Sequence, residues 1–495
     1  MPKKKIIIIG AGPGGLTAGM QLAHQGHQVD IFEKKDVVGG RNAPIRLGGF
    51  TFDTGPTFLM LLEVLEQSFA DAGRDLNKYL DLKRIDPMYR LRFDGAKDFF
   101  PTGDEKRMVE EIERAFPGDG QNYLRFKKTE GKKFDRVYPC LKVPYGSLLS
   151  YLKPRFLKAV PRLDPFASVY HRLAGYFKHE HLRIAMTFQA KYLGMSPWQC
   201  PATFTILSVI EHKFGIYHPI GGLNKISEAM ARVIQEDGGR IHLNTPVKQL
   251  MVKDRTAKGV LLEDGRTIEA DEVILNPDFA WAMSHLVKPE DRKKYTDAKL
   301  KKMEYSCSTF MLYLGLDKLY DIPHHNVIFA DDYRDNVEDI VHRKALSSDP
   351  SVYIQNASIT DPTLAPAGKS AIYVLVPVTN QTSGLDWQKE RKAFRDRVIG
   401  IIKQKTELKD IDQHIEMEKI ITPADWENEY GIYHGATFNL SHKISQMLSF
   451  RPHNRFEEFR NCYLVGGGTH PGSGLPTIYQ SGRIAAAMIM GTKVS

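Results

Sequence analysis

Cysteine is scarce and scattered. The four present, Cys140, Cys200, Cys307 and Cys462, stand far apart with no C-x-x-C pair. That excludes a disulfide scaffold and a thiolate zinc site, and suits a reducing cytosol. Long hydrophobic runs are also missing: no uninterrupted apolar stretch has the length of a membrane span, so no helix is expected to cross a bilayer. The four isoleucines before Gly10 are too few for a signal-peptide core and read as a buried parallel strand. There is no low-complexity segment and no internal repeat. No metal-binding cluster and no nucleic-acid recognition motif stand out, so neither a metal nor a nucleic acid is expected as a partner.

What is present is the composition of a globular chain. It has 495 residues, 42% hydrophobic and 26% charged, enough for two domains. The formal charge of +9 describes a basic surface that suits an anionic membrane, or simply a lysine surplus.

The N-terminal segment reads as one βαβ unit. Residues 5–10 form a strand, 14–25 a helix closed by Gly26, and 28–33 a second strand. His24 and His27 flank that cap and read as solvated helix-end residues. Further on, residues 240–244, 247–252, 259–262, 267–269 and 272–275 are short β-like runs. Turn signals separate them at 253–258 and at Asp264-Gly265. They read as a β-meander joined to a returning strand of the nucleotide domain. Residues 100–215 look mixed, basic and aromatic. Residues 300–420 alternate strand-like runs with a helix at 387–405.

The fold class expected is α/β: a discontinuous Rossmann-type nucleotide-binding domain with an α+β substrate domain. The first comprises residues 1–90, 220–300 and 425–495. The second comprises 91–219 and 301–424.

Gly10, Gly12 and Gly15 form a G-x-G-x-x-G loop, with Gly14 inside it, between strand and helix. There backbone N–H groups and the helix start meet a pyrophosphate. Glu33 ends the second strand, where a carboxylate accepts both ribose hydroxyls of an adenosine; Lys34 beside it joins the same set. So far NAD fits as well as FAD. Val37-Val38-Gly39-Gly40-Arg41 adds close backbone approach at Gly40 and a fixed cation at Arg41 for the pyrophosphate. Gly55-Pro56-Thr57 reads as a tight turn beside an aromatic ring system.

About 450 residues later a second glycine-rich run, Gly466 to Pro476, again joins a strand (463–465) to a helix (478–490). Its helix start places positive partial charge at the loop, which favours a reduced flavin ring. Both ends of the chain must close on one long ligand, and FAD meets that demand.

These residues resemble the FAD-dependent amine oxidase superfamily, and within it the carotenoid desaturases of the bacterial phytoene and dehydrosqualene (diapophytoene) type. The likeness is carried by residues 5–57, 214–222, 305–308 and 450–476, including a Thr-His-Pro-Gly-x-Gly-Leu-Pro signature at 469–476. It implies FAD held by Gly10, Gly12, Gly15, Glu33, Arg41 and the C-terminal loop, with Gly467, Gly468, Thr469, Gly474, Leu475 and Pro476 in the set. It also implies adenine contact through the Val247 backbone. Thr477 departs from the family, where glycine is frequent.

The reaction implied is desaturation of a long polyprenoid in carotenoid biosynthesis: a hydride passes to flavin N5 and a proton leaves the neighbouring carbon. Glu211 and His470 are the candidate catalytic groups. Residues 147–194 interleave Leu148, Leu149, Tyr151, Leu152, Phe156, Leu157 and Val160 with Lys153, Arg155, Lys158 and Arg162. That pattern suits either an interfacial anchor on anionic lipid or an amphipathic helix on the core. The expected location is the cytoplasm, peripherally on the inner face of the membrane. Carotenoid isomerases, saturases and terminal-methyl oxygenases share the scaffold, as do GDP-dissociation inhibitors, which carry prenylated proteins without oxidising them.

Overall fold

The computed structural model describes residues 2–494. Its centre is the strand Lys5–Ile9, whose β-branched isoleucines favour extended backbone and are buried. It lies in the middle of a five-stranded parallel sheet ordered Cys462–Leu464, Glu272–Leu275, Lys5–Ile9, Gln28–Phe32, Arg240–His242. Ile7 pairs with Val273 on one side and Asp30 on the other, and Ile274 pairs with Tyr463. One sheet therefore joins the beginning, middle and end of the chain.

Helix Pro13–His24 starts with proline, whose fixed φ suits a first turn. It ends at Gly26, where φ is +79° and the N–H donates to the Ala23 carbonyl. His27 is not solvated as expected: it is buried, and its Nδ1 accepts the Lys4 N–H at 3.2 Å. The last helix, Leu475–Met490, starts three residues earlier than its apolar run indicates, because Pro476 is tolerated in a first turn. It lies against the first helix at Gly482, where a Cβ would stand 2.5 Å from the Gly14 carbonyl and 2.8 Å from Thr17 Cβ.

The meander is Val247–Lys253, Thr256–Leu262 and Thr267–Glu269, all antiparallel. Its first turn is shorter than the 253–258 expected. Asp254 and Arg255 both take positive φ, the conformation of a two-residue hairpin loop, so Thr256 already belongs to the next strand.

A six-stranded sheet, ordered Ile415–Ile421, Ser308–Leu316, Ser370–Val378, Val352–Asn356, His325–Ile328, Arg90–Arg92, builds the other half. Period-two alternation sorts its faces. Phe310, Leu312, Leu314, Ile372, Val374 and Val376 pack with Trp387, Phe394 and Val398 of helix Trp387–Lys405. Met311, Tyr313, Tyr353, Tyr373 and Leu375 face the opposite way.

Between Glu105 and Phe214 the expected mixture is absent: the described residues form helices and no named strand. Glu105–Ala115 shows why. Asp104 caps it by accepting the Arg107 N–H, and Met108 and Ile112 are buried one turn apart. Prolines 154 and 161 divide the basic–apolar stretch into Leu148–Leu152, Pro154–Ala159 and Val160–Arg162, so it is not one amphipathic helix. Among the described residues no helix is long and apolar enough to cross a membrane.

Candidate functional site

A cavity of about 690 Å³ runs between the two sheets. Ile9, Phe32 and Glu33 open onto it from the carboxyl ends of parallel strands, where nucleotide-binding folds place their ligands. Thr309, Met311, Tyr373 and Leu375 line it from the six-stranded sheet.

At the parallel-sheet end, Gly10, Gly12, Glu33, Lys34, Gly40, Arg41 and Val247 all reach the cavity. Gly14 and Gly15 do not line it; they make room behind it. A Cβ on Gly15 would stand 2.7 Å from the Gly10 carbonyl, and one on Gly14 would stand 3.2 Å from the Gly466 nitrogen. Glu33 Oε2 accepts the Ala11 N–H at 2.8 Å and Oε1 accepts the Lys35 N–H at 3.0 Å. Those bonds fix the carboxylate and leave each oxygen further acceptor capacity. Burial pulls the Lys35 ammonium below its ordinary pKa.

Arg41 donates to the Thr437 carbonyl at 2.5 Å. It reaches Asp278 through Asn439. With that amide turned so its nitrogen faces Asp278, the oxygen accepts from both terminal nitrogens of Arg41, at 3.0 and 3.2 Å. Burial lowers the Arg41 pKa and raises that of Asp278, and each charge opposes the other's shift.

At the other end, Gly55, Pro56 and Thr57 line the cavity with Gly467, Gly474, Leu475 and Pro476. The Gly55 carbonyl accepts from Tyr373 Oη at 2.8 Å. Gly468 and Thr469 lie outside the lining. Thr469 Oγ1 donates to the Gly466 carbonyl at 2.8 Å, closing the loop on itself. Arg451, fully buried, spans the same loop by donating to the Gly467 and Thr469 carbonyls at 2.6 and 3.1 Å. Thr477, the departure from the family pattern, turns its hydroxyl back onto the Gly472, Ser473 and Gly474 carbonyls.

Neither helix start at the cavity, Gly12 or Gly474, carries a side-chain cap. Their first-turn N–H groups therefore need an acceptor from elsewhere. Two uncapped helix starts, a buried guanidinium and a ribose-type carboxylate form a donor and acceptor set that fits the diphosphate, ring and ribose of FAD.

The two residues expected to be catalytic are not in the cavity wall. Glu211 lies on helix Ile206–Phe214 and is fully buried. Its Oε2 accepts from Tyr89 Oη at 2.9 Å and Gln189 Nε2 at 2.8 Å, and it is Tyr89 that lines the cavity. His470 Nε2 bonds the Val143 carbonyl at 2.8 Å, behind Pro471. Burial lowers its pKa to about 4, so it is neutral at pH 7.

Several lining residues escaped the sequence reading: Asn276, Asp278, Trp281, His325, Tyr353, Tyr373 and Asn439. Asn276 and Asp278 had a signal, since Asn276-Pro277-Asp278 follows directly on the buried strand Glu272–Leu275. His325, Tyr353 and Tyr373 had none, because they come together only through the six-stranded sheet.

A parallel sheet with uncapped helix starts from both chain ends, opening on one cavity with a second sheet as its far wall, defines a flavin-dependent oxidoreductase. Comparison with known proteins agrees. Residues 13–490 match the family described as flavin containing amine oxidoreductase. The chain is 54% identical to a 4,4'-diapophytoene desaturase (4,4'-diapolycopene-forming) of Methylomonas sp, covering 98% of this chain and 95% of that protein. It is 37% identical to a zeta-carotene-forming phytoene desaturase of Myxococcus xanthus, covering 98% and 94%. The crystal structure of an oxidoreductase from Methanosarcina mazei shares the fold at a TM-score of 0.64 and 17% identity, covering 99% of this chain and all of that one. The chain belongs to the flavin containing amine oxidoreductase family, in its carotenoid desaturase branch. It is an oxidoreductase, and its cofactor is FAD.

Proposed function

We propose that this protein desaturates a long carotenoid precursor, phytoene or dehydrosqualene (diapophytoene), at the surface of a membrane. One observation carries the reading: away from the nucleotide end the cavity wall is hydrocarbon and aromatic. Met60, Leu61, Val64, Phe188, Phe204, Ile206, Leu207 and Ile210 line it, and Lys142 is also in the lining. The carboxylates of the wall, Glu33, Glu263 and Asp278, belong to the nucleotide half. Such a wall fits a polyene and offers no counter-charge to an ammonium substrate.

FAD, when bound, supplies the two-electron acceptor for the oxidation. Gly10, Gly12, Glu33, Lys34, Arg41 and Val247 would hold its nucleotide half, and Gly55–Thr57 with Gly467 and Gly474–Pro476 its ring half. The apolar wall orients the chain and excludes water. In this reading residues 1–90, 220–300 and 425–495 form the FAD-binding domain, which is supported by the parallel sheet drawing strands from those three pieces.

The membrane contact rests on surface chemistry. Leu149, Leu152, Leu157 and Phe450 are 71%, 67%, 53% and 61% exposed, beside Lys153, Arg155 and Lys158. The Leu148 side chain lies outside the described set. Tyr151 Oη bonds Ser449 Oγ at 2.7 Å, which ties this patch to the segment carrying Phe450, next to the lining residue Met447. Removing about 30 carbons from lipid into water costs tens of kcal/mol at roughly 0.8 kcal/mol per CH₂, so the substrate must be met where it resides.

The test is product analysis after incubation with each hydrocarbon in lipid vesicles. Lengthened conjugation is expected. A product without longer conjugation favours an isomerase, saturase or oxygenase, and a colourless protein that takes up no FAD favours a prenyl-lipid carrier.

A further inference from the structure

Resting on the proposed desaturation, we infer that Tyr353 receives the proton lost from the polyene and that His325 takes up the proton Tyr353 gives away. Together with Thr57 these residues form one ordered polar line in the cavity wall. Tyr353 Oη lies 2.7 Å from Thr57 Oγ1 and 2.7 Å from His325 Nδ1. All three residues line the cavity, and Thr57 belongs to the turn assigned to the ring end of FAD. Tyr353 and His325 come from paired strands, Val352–Asn356 and His325–Ile328, so the sheet sets their spacing.

His325 is 1% exposed, and its Nε2 has no hydrogen-bond partner among the described residues. Burying an unsatisfied imidazole nitrogen costs free energy that packing alone does not require, since a phenylalanine would fill the place. Behind it the His324 ring lies 4.2 Å away and the His218 ring 5.0 Å beyond that. His218 Nε2 meets Asp361 Oδ2 at 3.0 Å, both side chains fully buried. A carboxylate thus stands at the inner end of an imidazole row whose outer end touches the cavity.

The step balances without a strong base. Oxidation leaves a carbocation in the chain. The C–H bond on the adjacent carbon breaks, its electron pair forms the new double bond, and its proton goes to Tyr353 Oη. The hydrogen already on Tyr353 moves to His325 Nδ1, giving an imidazolium. Burial lowers His325 to about 3, so it starts neutral with an open lone pair; burial likewise holds the Tyr353 phenol protonated. A proton beside a carbocation is far more acidic than either conjugate acid, so weak bases suffice. Tyr353 is the catalytic group and His325 a positioning group acting through it.

The experiment compares the FAD-loaded wild type with Tyr353→Phe and His325→Asn, whose amide can replace Nδ1 as a hydrogen-bond partner without becoming charged. Desaturated product is measured in vesicles and FAD by absorbance. Binding of a 30-carbon polyprenyl tertiary amine, protonated to mimic the cation, is followed through the cavity tryptophans Trp281 and Trp426. Full FAD occupancy is expected throughout, with turnover lowered at least a hundredfold in Tyr353→Phe and tenfold in His325→Asn. Amine affinity should fall at least tenfold in Tyr353→Phe alone. Turnover above half of wild type in either variant, or amine binding untouched by Tyr353→Phe, overturns the relay. Should Tyr353→Phe fail to hold FAD, His325→Asn decides by the same turnover threshold. A wild type that makes no desaturated product refutes the proposed function instead.

Discussion

Replacing Gly482 by alanine tests whether the two chain ends must touch for FAD to bind. The new Cβ would stand 2.5 Å from the Gly14 carbonyl, 2.8 Å from Thr17 Cβ and 3.1 Å from the Ala18 nitrogen, against an ordinary contact of 3.4 Å or more. Two of the three obstacles are backbone of the first helix, so no side chain can swing aside. The helices must part by about 0.9 Å at that point, enough to disturb two loops that share one ligand. Overpacking of this kind costs about 1–3 kcal/mol, whereas glycine to alanine inside a helix gains about 1 kcal/mol. The expected net is a loss of up to about 2 kcal/mol. Gly400, inside helix Trp387–Lys405 and with nothing within 4 Å of its would-be Cβ, is the matched control: Gly400→Ala collects the gain without the clash. Thermal release of FAD, followed by flavin fluorescence, should come earlier for Gly482→Ala and no earlier than wild type for Gly400→Ala. If both variants release FAD at the wild-type temperature, the close approach of the terminal helices is not what holds the cofactor.

Arg41→Ala should weaken FAD binding at least tenfold by equilibrium dialysis, since a charge-assisted hydrogen bond is worth about 1.5–3 kcal/mol; Arg41→Lys should recover part of it. Replacing Leu149, Leu152 and Leu157 together by serine should move the protein from the pellet to the supernatant with anionic liposomes, because each buried leucine contributes roughly 1.5–3 kcal/mol. Burial pushes the Asp361 carboxyl up, but hydrogen bonds from His218, Thr363 and the Gly221 N–H hold it down at about 2. Its stabilisation is therefore complete above the ordinary carboxylate value of 3.8 and is lost as pH falls through about 2. Asp361→Asn should flatten the acid-unfolding curve between those values, as read by tryptophan fluorescence.

The amino-acid sequence by itself determined the nucleotide half. Local rules suffice there: isoleucines fill a doubly covered strand, glycines permit a loop against a helix start, and Glu33 and Arg41 follow at short separation. Those same rules placed the returning strand Glu272–Leu275 and the helix Trp387–Lys405. They left 100–215 without defined elements, because the buried faces of its helices are set by neighbours distant in sequence, and they put forward Glu211 and His470, which the folded chain keeps behind Tyr89 and Pro471. Only tertiary structure decided the far wall. Thr57, His325 and Tyr353 are separated by hundreds of positions or by a full strand, and no spacing in the chain relates them. Strand pairing and the two-residue alternation of a sheet turn His325 and Tyr353 to one face, which depends on the register between strands, and Thr57 meets Tyr353 there from a turn distant in the chain.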